Sequence, residues 1–269
     1  MKNKIFDCIT FYQENFLANF RFEVLDEIVD YFVVCESLYD HRGNKKKLNF
    51  KLINPKFKKK IIYLFFDKPF INKSDIWENQ AQQREYIFRG LTSAGPNDYI
   101  MFSDPDEIPR PEILKKLVLT KKYGIFMQNF YCYKFNLFNK YESPWQGTRI
   151  CMKKNLTSIN YMRQQVKLKN LDAPFWKFYK EKNIEIIENG GWHFNSLLSA
   201  EEISKKLKTF AHTEFSADKF SSVRIIKEKM QKGIDLFERG HKYEVIKINK
   251  SFPEYLLQNI SKFKEFINI

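Results

Sequence analysis

Three carboxylates follow directly on an apolar run in the segment YIMFSDPDEIPRP, residues 99–111. They are Asp104, Asp106 and Glu107, and prolines at positions 105, 109 and 111 restrict the turns around them. In an extended chain, residues two apart project to the same side, so the carboxylates of Asp104 and Asp106 would lie together and repel each other. A divalent cation such as Mg²⁺ or Mn²⁺ removes this repulsion, because carboxylate oxygens are the ligands that these ions prefer. The spacing therefore predicts a metal site at Asp104 and Asp106.

A cation at the end of a strand would most usefully bind a diphosphate. It would neutralise the phosphates on binding and stabilise the charge that develops on a diphosphate leaving group. The alternative is that Asp104 caps the following turn, and that Asp106 and Glu107 are solvated. The apolar run before the acids and the proline-fixed turn after them favour the functional interpretation.

The acids end one of several apolar runs that alternate with helical patterns. Runs rich in β-branched and aromatic residues cover positions 5–11, 31–35, 61–66 and 99–102. Residues 14–28 have apolar positions at helical spacing, and residues 74–91 begin with the N-cap candidates Ser74 and Asp75. This alternation is typical of a parallel sheet covered by helices, where ligands bind at the carboxyl ends of the strands. The sequence predicts an α/β fold with a mostly parallel central sheet.

The second half of the chain has a different pattern. Residues 125–138 are aromatic-rich and partly alternating, which predicts longer antiparallel strands. Helical patterns follow at residues 200–210 and 217–239, and residues 252–268 carry an apolar stripe at spacings of three or four. We expect a catalytic domain at residues 1–240 and a C-terminal helical extension at residues 241–269 that packs on it. The alternative is that this stripe lies on a membrane surface.

The composition limits the location and the partners. There are 46 basic and 32 acidic residues, a net charge of +14, which fits a solubilising surface or an anionic partner. Lysine clusters occur at residues 45–47 and 58–60, but no recognisable nucleic-acid module accompanies them. The four cysteines form no CxxC pair and are predicted to be buried thiols in a reducing compartment. With no apolar stretch of about 18 residues and no convincing signal peptide, we expect a cytoplasmic protein with peripheral contact to the inner face of the membrane.

The acid segment also resembles a known motif. The stretch FSDPDEIPRP is similar to the Asp-x-Asp-Glu-Ile-Pro motif of glycosyltransferase family 17, which includes the β-1,4-N-acetylglucosaminyltransferase of N-glycans and many bacterial and viral relatives. Further segments resemble family motifs in the same order: IFDCITFYQE, VDYFVVCES, ENQAQQREYIFRGL, WQGTRI, GGWHFNSL and KTFAHTEF. The likeness runs from about residue 5 to about residue 220.

This resemblance implies a GT-A-type nucleotide-sugar-binding fold. The implied reaction is inverting transfer of GlcNAc from UDP-GlcNAc to a hydroxyl of a glycan or lipid-linked glycan acceptor. Eukaryotic members carry an N-terminal membrane anchor and a stem, whereas this chain starts at its first strand. We therefore expect a bacterial or viral member that acts in the cytosol, which makes an N-glycan acceptor doubtful.

The resemblance gives donor-site roles to residues that precede the acids. Thr10 and Phe11 end the first strand, where GT-A enzymes commonly contact the nucleobase, although packing is an equal alternative for Phe11. Glu36 would hydrogen-bond the ribose or base of the donor, or support Arg84. Arg84 would grip a phosphate or orient an acid. The alternatives are a surface arginine and a glutamate that merely starts a loop.

Later residues complete the implied site. His193 would be the third protein ligand of the metal, as in many GT-A enzymes, and Trp192 and Trp145 would form a platform for a sugar ring. Core packing is the alternative for all three. His212 and Glu214 would help to close the active site over the donor, or simply cap helices.

An inverting transferase needs a base that takes the proton from the attacking hydroxyl. Glu107 and Glu214 are the candidates, and the alternative for Glu107 is that it orients the metal site. Two other functions remain open from the residues alone. One is a metal-dependent nucleotidyltransferase or phosphohydrolase. The other is a basic, non-enzymatic protein that binds nucleic acid or lipid, which would explain the charge but not three acids at a strand end.

Overall fold

The computed structural model describes residues 3–71, 75–209 and 217–268. The strands are β1 (Ile5–Phe11), β2 (Tyr31–Ser37), β3 (Ile61–Phe66), β4 (Tyr99–Ser103), β5 (Glu107–Pro109), β6 (Tyr123–Cys132), β7 (Leu137–Phe138), β8 (Trp145–Met152), β9 (Ile184–Asn195) and β10 (Glu244–Val245). The α-helices are α1 (Asn15–Leu25), α2 (Ile76–Tyr86), α3 (Pro111–Leu114), α4 (Ile159–Gln165), α5 (Ala200–Thr209), α6 (Asp218–Ser221), α7 (Val223–Lys232) and α8 (Glu254–Gln258). A 3₁₀ segment, Ile260–Phe266, follows α8.

The strands form one mixed sheet flanked by helices, in the order β10-β7-β6-β8-β4-β1-β2-β3, with β9 along β6 and β5 along β9. The neighbours among β4, β1, β2 and β3 are parallel, whereas β8 is antiparallel to both β4 and β6. The α/β prediction is confirmed, but the sheet is parallel mainly in its first half. The link from β6 to its antiparallel neighbour β7 is too short for the crossover that a parallel pair requires.

Helices cover both faces of the parallel half, so β1 and β2 are buried on both sides and have nearly continuous apolar sequences. One apolar cluster contains Phe20 and Phe22 of α1, and a second contains Ile159 and Met162 of α4. A third lies between α5, α7 and β6. The first two clusters hold the two layers of helices against the sheet.

The apolar stripe near the C-terminus packs on α1. Phe252, Leu256 and Phe263 are buried in the same cluster as the residues of α1, and the rings of Phe16 and Phe266 stack at 4.5 Å. This stripe is therefore covered by the protein itself. No helix among the described residues has the length and apolarity needed to cross a membrane.

Local signals account for some of the helix ends. The Asp75 carboxylate accepts hydrogen bonds from the backbone of Trp77 and Glu78, as expected for an N-cap. The helical pattern predicted over residues 217–239 is confirmed for residues 218–232, which form two helices because Ser222 is extended and separates α6 from α7. Gly233 then ends α7 with a φ of +63°, the left-handed conformation that favours glycine at a helix end. All four cysteines are free and buried, as predicted.

Candidate active site

A cavity of about 410 Å³ opens at the carboxyl ends of β1, β4 and β9. Of the residues predicted from the sequence, Thr10, Asp104, Asp106, His193 and Trp145 line this cavity. The prediction that the acids lie at the ligand-binding edge of the sheet thus agrees with the geometry.

A buried arginine fixes the backbone of the acid segment. Arg21 of α1 forms an ion pair with Asp7 of β1 at 2.6 Å, and both side chains are almost completely buried. The same guanidinium donates to the hydroxyl of Ser103 at 3.0 Å and to the backbone carbonyl of Glu107. Since buried charges need such partners, this network ties α1, β1 and the start of β5 into one arrangement.

Glu107 is a structural anchor of the acid segment. Its carboxylate is 1% exposed and accepts hydrogen bonds from Arg163, from Nε1 of Trp145 at 2.7 Å and from the backbone N–H of Asp104. Burial works against the charged form, but Arg163 and His193 outweigh it and hold the pKa of Glu107 below its ordinary value. A base must reach the acceptor, and Glu107 does not line the cavity. Its placement suits the alternative interpretation, orientation of the site.

Arg163 is the main site residue that sequence reasoning missed. It lies on α4, and its Nη2 is 2.6 Å from Oδ2 of Asp104 and 2.8 Å from Oε1 of Glu107. The two acids are more than 50 residues away in the chain, and no motif surrounds the arginine. No local signal would have found it.

Asp106 and His193 form a pair on the cavity wall. Pairing of β5 with β9 places them together, with Oδ2 of Asp106 3.5 Å from Nε2 of His193. Burial opposes the charge on Asp106, but His193 outweighs this effect and the pKa of Asp106 is lowered. The imidazole also packs between the rings of Phe130 and Trp145, at 4.3 and 5.0 Å between ring centroids.

The acids and the imidazole offer a donor set for a divalent cation, but an incomplete one. Among the described residues, no group of three or more His, Cys, Asp or Glu side chains is placed to hold a metal ion. Asp106 and His193 supply one oxygen and one nitrogen ligand side by side, and Oδ2 of Asp104 accepts from Arg163. Because Mg²⁺ and Mn²⁺ commonly keep several water and phosphate ligands, two protein ligands at this point fit such an ion.

Glycine at position 191 allows β9 to approach β5 closely enough for this pairing. A Cβ at Gly191 would lie 2.2 Å from the carbonyl oxygen of Ile108, and its φ is +137°. We expect Gly191→Ala to destabilise the fold by roughly 2–4 kcal/mol, measured by urea unfolding, because both strain and overlap oppose it. Gly240→Ala is the matched control, since φ is +77° there but no atom lies within 4 Å. Equal losses in both variants would contradict the role of close approach.

Two predicted donor-site residues lie outside the cavity lining. Glu36 is fully buried, and its carboxylate binds Lys46, Tyr63 and the backbone N–H groups of Asn49 and Phe50, so it orders the loop after β2.

Arg84 is also buried. Its Nη1 donates to Asn160 at 3.1 Å, and burial lowers its pKa to about 10 although Asp104 partly offsets this. The structure shows no contact between Arg84 and Glu36, so Glu36 does not support this arginine directly.

Strand alternation separates the remaining candidates. Thr10 lines the cavity, whereas its neighbour Phe11 is 1% exposed and lies in the core. Trp192 is likewise 1% exposed, donates from Nε1 to the carbonyl of Ser251 and stacks below Arg110. The structure does not bring Trp192 to the cavity, which leaves Trp145 as the tryptophan that a sugar ring could meet.

His212 and Glu214 lie outside the described residues, and their roles stay predictions.

The opposite wall of the cavity carries charged residues that the sequence analysis did not single out. Lys206 of α5 is 3.0 Å from Glu14, and its pKa is raised by Glu14 and Asp106 although burial opposes this. Lys206 therefore stays protonated and places a positive charge near the acids. Arg239 and Glu142 also line the cavity and form an ion pair.

Asp235 holds this opposite wall in place. Its carboxylate accepts from the backbone of Phe237, from Arg239 and from the hydroxyl of Tyr243. Burial opposes its charge, but Arg239 outweighs it and lowers the pKa of Asp235 from the ordinary value of 3.8. A lowered folded-state pKa gives stability that is present above the unfolded-state value and lost as the pH falls through the folded-state value.

We therefore expect the difference in unfolding free energy between wild type and Asp235→Asn to be constant above about pH 5 and to shrink as the pH falls below about 4. Urea unfolding at a series of pH values measures it. A difference that stays the same down to pH 2.5 would contradict the charge-based role of Asp235.

A comparison with models of known protein families assigns the chain to one family. The model of the family described as "Glycosyltransferase family 17" matches residues 1–267, nearly the whole sequence. The chain belongs to glycosyltransferase family 17. The resemblance noted on separate motifs is thus confirmed at the level of the family.

Curated relatives match this family 17 chain over a shorter segment. The chain is 31% identical over 116 residues to "Beta-1,4-mannosyl-glycoprotein 4-beta-N-acetylglucosaminyltransferase" of Rattus norvegicus and equally to that of Homo sapiens. The match covers 39% of this chain and 22% of either relative's length. Among solved structures, glucosyl-3-phosphoglycerate synthase from Mycobacterium tuberculosis, in complex with Mg²⁺ and UDP, matches with 11% identity and a TM-score of 0.38, over 95% of this chain and 92% of that one.

Proposed function

We propose that this family 17 protein is a metal-dependent, inverting glycosyltransferase that transfers GlcNAc from UDP-GlcNAc to a hydroxyl of a glycan acceptor. The observation that carries the proposal is the position of Asp104 and Asp106. Both line a cavity at the carboxyl ends of β1 and β4, in a chain that the family model matches almost from end to end. The alternative of a basic protein without catalysis gives no reason for this arrangement.

The residues around the acids suit a donor diphosphate. Asp106 and His193 would hold a divalent cation, which supplies charge neutralisation of the diphosphate and of the leaving group. Arg163 fixes the carboxylate of Asp104 in the cavity. Lys206 adds a second positive charge from the other side, and a fixed cation in a partly buried site strengthens the binding of phosphate oxygens.

The acceptor would enter beside Trp145, whose ring lines the cavity while its Nε1 is held by Glu107. That Glu214 acts as the catalytic base remains a prediction. Two further carboxylates line the cavity, Glu14 and Glu142, and each is paired with a cation. Replacing each of the three by glutamine and comparing the turnover rates ranks them: we propose that the base is the position where turnover falls and donor affinity stays unchanged.

A thermal-shift screen of nucleotide sugars, with and without Mn²⁺, tests the proposal. A ligand that binds only the folded state raises the melting temperature. We expect UDP-GlcNAc to do so in the presence of Mn²⁺ and to a lesser degree in its absence. Release of UDP from UDP-GlcNAc on addition of an acceptor would support glycosyl transfer, whereas release of pyrophosphate from UTP on addition of GlcNAc 1-phosphate would instead identify a nucleotidyltransferase. No shift with any nucleotide sugar would overturn the proposed donor class.

The names of the curated relatives, which specify a β-1,4-mannosyl-glycoprotein, support a proposal for the acceptor class. We propose a glycan hydroxyl as the acceptor because the family model matches residues 1–267, which include the acid segment. A panel of β-mannosyl, β-glucosyl and β-galactosyl oligosaccharides, assayed for UDP release, identifies the terminal sugar.

A further inference from the structure

Four large aromatic side chains protrude from one short segment, residues 172–183, which we name the aromatic loop. Phe175, Trp176, Phe178 and Tyr179 are 78%, 61%, 85% and 65% exposed. None of them lines the cavity or belongs to a core cluster of the described chain. Because aromatic side chains gain the most from leaving water, four exposed neighbours mark an interaction surface.

The backbone of the aromatic loop is a series of hydrogen-bonded turns. The amide of Lys177 donates to the carbonyl of Pro174, and the amide of Lys180 donates to that of Lys177. The ammonium group of Lys182 also caps Pro174, at 2.6 Å from its carbonyl oxygen. The turns thus display the rings on a defined backbone, with Phe175 and Trp176 in contact at 5.1 Å between ring centroids.

Lysines lie in the aromatic loop and next to it in the chain. Lys169 and Lys177 are exposed, and Nζ of Lys180 lies 5.1 Å from the centroid of the Tyr179 ring. The pKa of Lys167 is lowered, first by burial and then by the positive charge of its neighbour Lys169, and Lys180 makes a smaller contribution of the same sign. Acidic residues offset this charge only in part, since residues 167–183 contain five lysines and two acidic residues, Asp172 and Glu181.

The combination of residue types distinguishes between partners. Protein interfaces are enriched in aromatic residues and arginine but depleted in lysine, and the aromatic loop contains lysines and no arginine. Amphipathic rings flanked by lysines are typical of segments that lie in the headgroup region of a bilayer. We propose that the aromatic loop docks on an anionic membrane, with its rings in the headgroup region and its lysines against lipid phosphates. This proposal does not depend on the reaction proposed above.

Sedimentation with vesicles tests the proposal on the full chain. We expect binding to vesicles of phosphatidylglycerol and phosphatidylcholine, and little binding to phosphatidylcholine alone. Replacing the four aromatic residues by serine should weaken binding at least tenfold, and Lys169→Gln with Lys177→Gln should weaken it by about fivefold per lysine. The control is Ile53→Ser with Val118→Ser, two apolar side chains that are 68% and 73% exposed elsewhere on the surface. Binding by the control should equal that of wild type.

Tryptophan fluorescence locates the contact. Addition of anionic vesicles should shift the emission to shorter wavelength in wild type and in Trp77→Phe, which removes another exposed tryptophan, but not in Trp176→Phe. Absence of vesicle binding, equal binding by the serine variant, or a shift that survives Trp176→Phe would each overturn the proposal. A concentration-dependent dimer that forms without lipid and is lost in the serine variant would assign the loop to a second copy of the chain instead.

Discussion

Replacing Asp106 by asparagine is expected to lower glycosyl transfer by a factor on the order of a thousand while the fold stays intact. Asparagine has the same size but lacks the charge that would bind a cation beside the donor diphosphate. The side chain of Asp106 faces the cavity, and its strand contact is a backbone bond to Phe194, which the substitution leaves in place. The rate of UDP-GlcNAc turnover measures the loss of transfer. Circular dichroism and the melting temperature show whether the fold stays intact.

The matched control for Asp106→Asn is Asp172→Asn, the same chemical change at an exposed position, which should leave transfer unchanged. His193→Gln should raise the concentration of Mn²⁺ needed for half-maximal rate, because the nitrogen ligand is removed and the carboxylate of Asp106 remains. Full activity of Asp106→Asn, or activity of wild type that persists in excess EDTA, would exclude the metal-dependent mechanism.

The central strands of the parallel half were visible in the sequence because they are buried on both faces. Such strands are continuous apolar runs, and the predicted runs at residues 5–11 and 99–102 correspond closely to β1 and β4. The run at residues 61–66 also corresponds to a strand, β3, although this strand lies at the edge of the sheet and is only partly buried. The second half was less predictable. Partial alternation in residues 125–138 indicated β-structure, but which strands pair, and in which direction, depends on contacts between distant segments.

The alternation of strands could have refined the choice of site residues. Neighbours in a strand point to opposite faces, so Thr10 and Phe11 of β1 were not both available to a ligand. The same applies to Trp192 and His193 of β9, where the histidine lines the cavity and the tryptophan packs in the core. The sequence thus indicates that only one residue of each neighbouring pair can face the cavity, whereas residue type alone does not.

The basic residues that organise the site had no such signal. Arg21 and Arg163 are single arginines on helices, and the acids they bind lie elsewhere in the chain. Helical periodicity indicates which face of a helix is apolar, but it does not identify the partner of a buried charge. Three-dimensional packing was required to show that Glu107 forms an ion pair with Arg163, accepts a hydrogen bond from Trp145 and does not line the cavity.

The second large effect is expected for Arg163→Met, which should destabilise the fold by about 3–5 kcal/mol. Glu107 is 1% exposed, and without Arg163 its charge would keep only the hydrogen bonds from Trp145 and the Asp104 amide. Asp104 would also lose its partner at 2.6 Å, so its carboxylate would no longer be fixed at the cavity. Urea unfolding gives the change in free energy, and the binding of UDP-GlcNAc should weaken in parallel.

A double variant separates the loss of charge compensation from a simple loss of packing. Arg163→Met with Glu107→Gln also removes the carboxylate that Arg163→Met alone leaves unpaired, so the double variant should be more stable than Arg163→Met alone, although its acid segment is less well oriented. Arg89→Met is the control for the loss of an arginine, since Arg89 is exposed and its guanidinium lies over the ring of Tyr86; it should cost less than about 0.5 kcal/mol. If the double variant were no more stable than Arg163→Met, the stabilisation would come from packing of the Arg163 side chain, and the ion pair would not be what holds Asp104 and Glu107 in position.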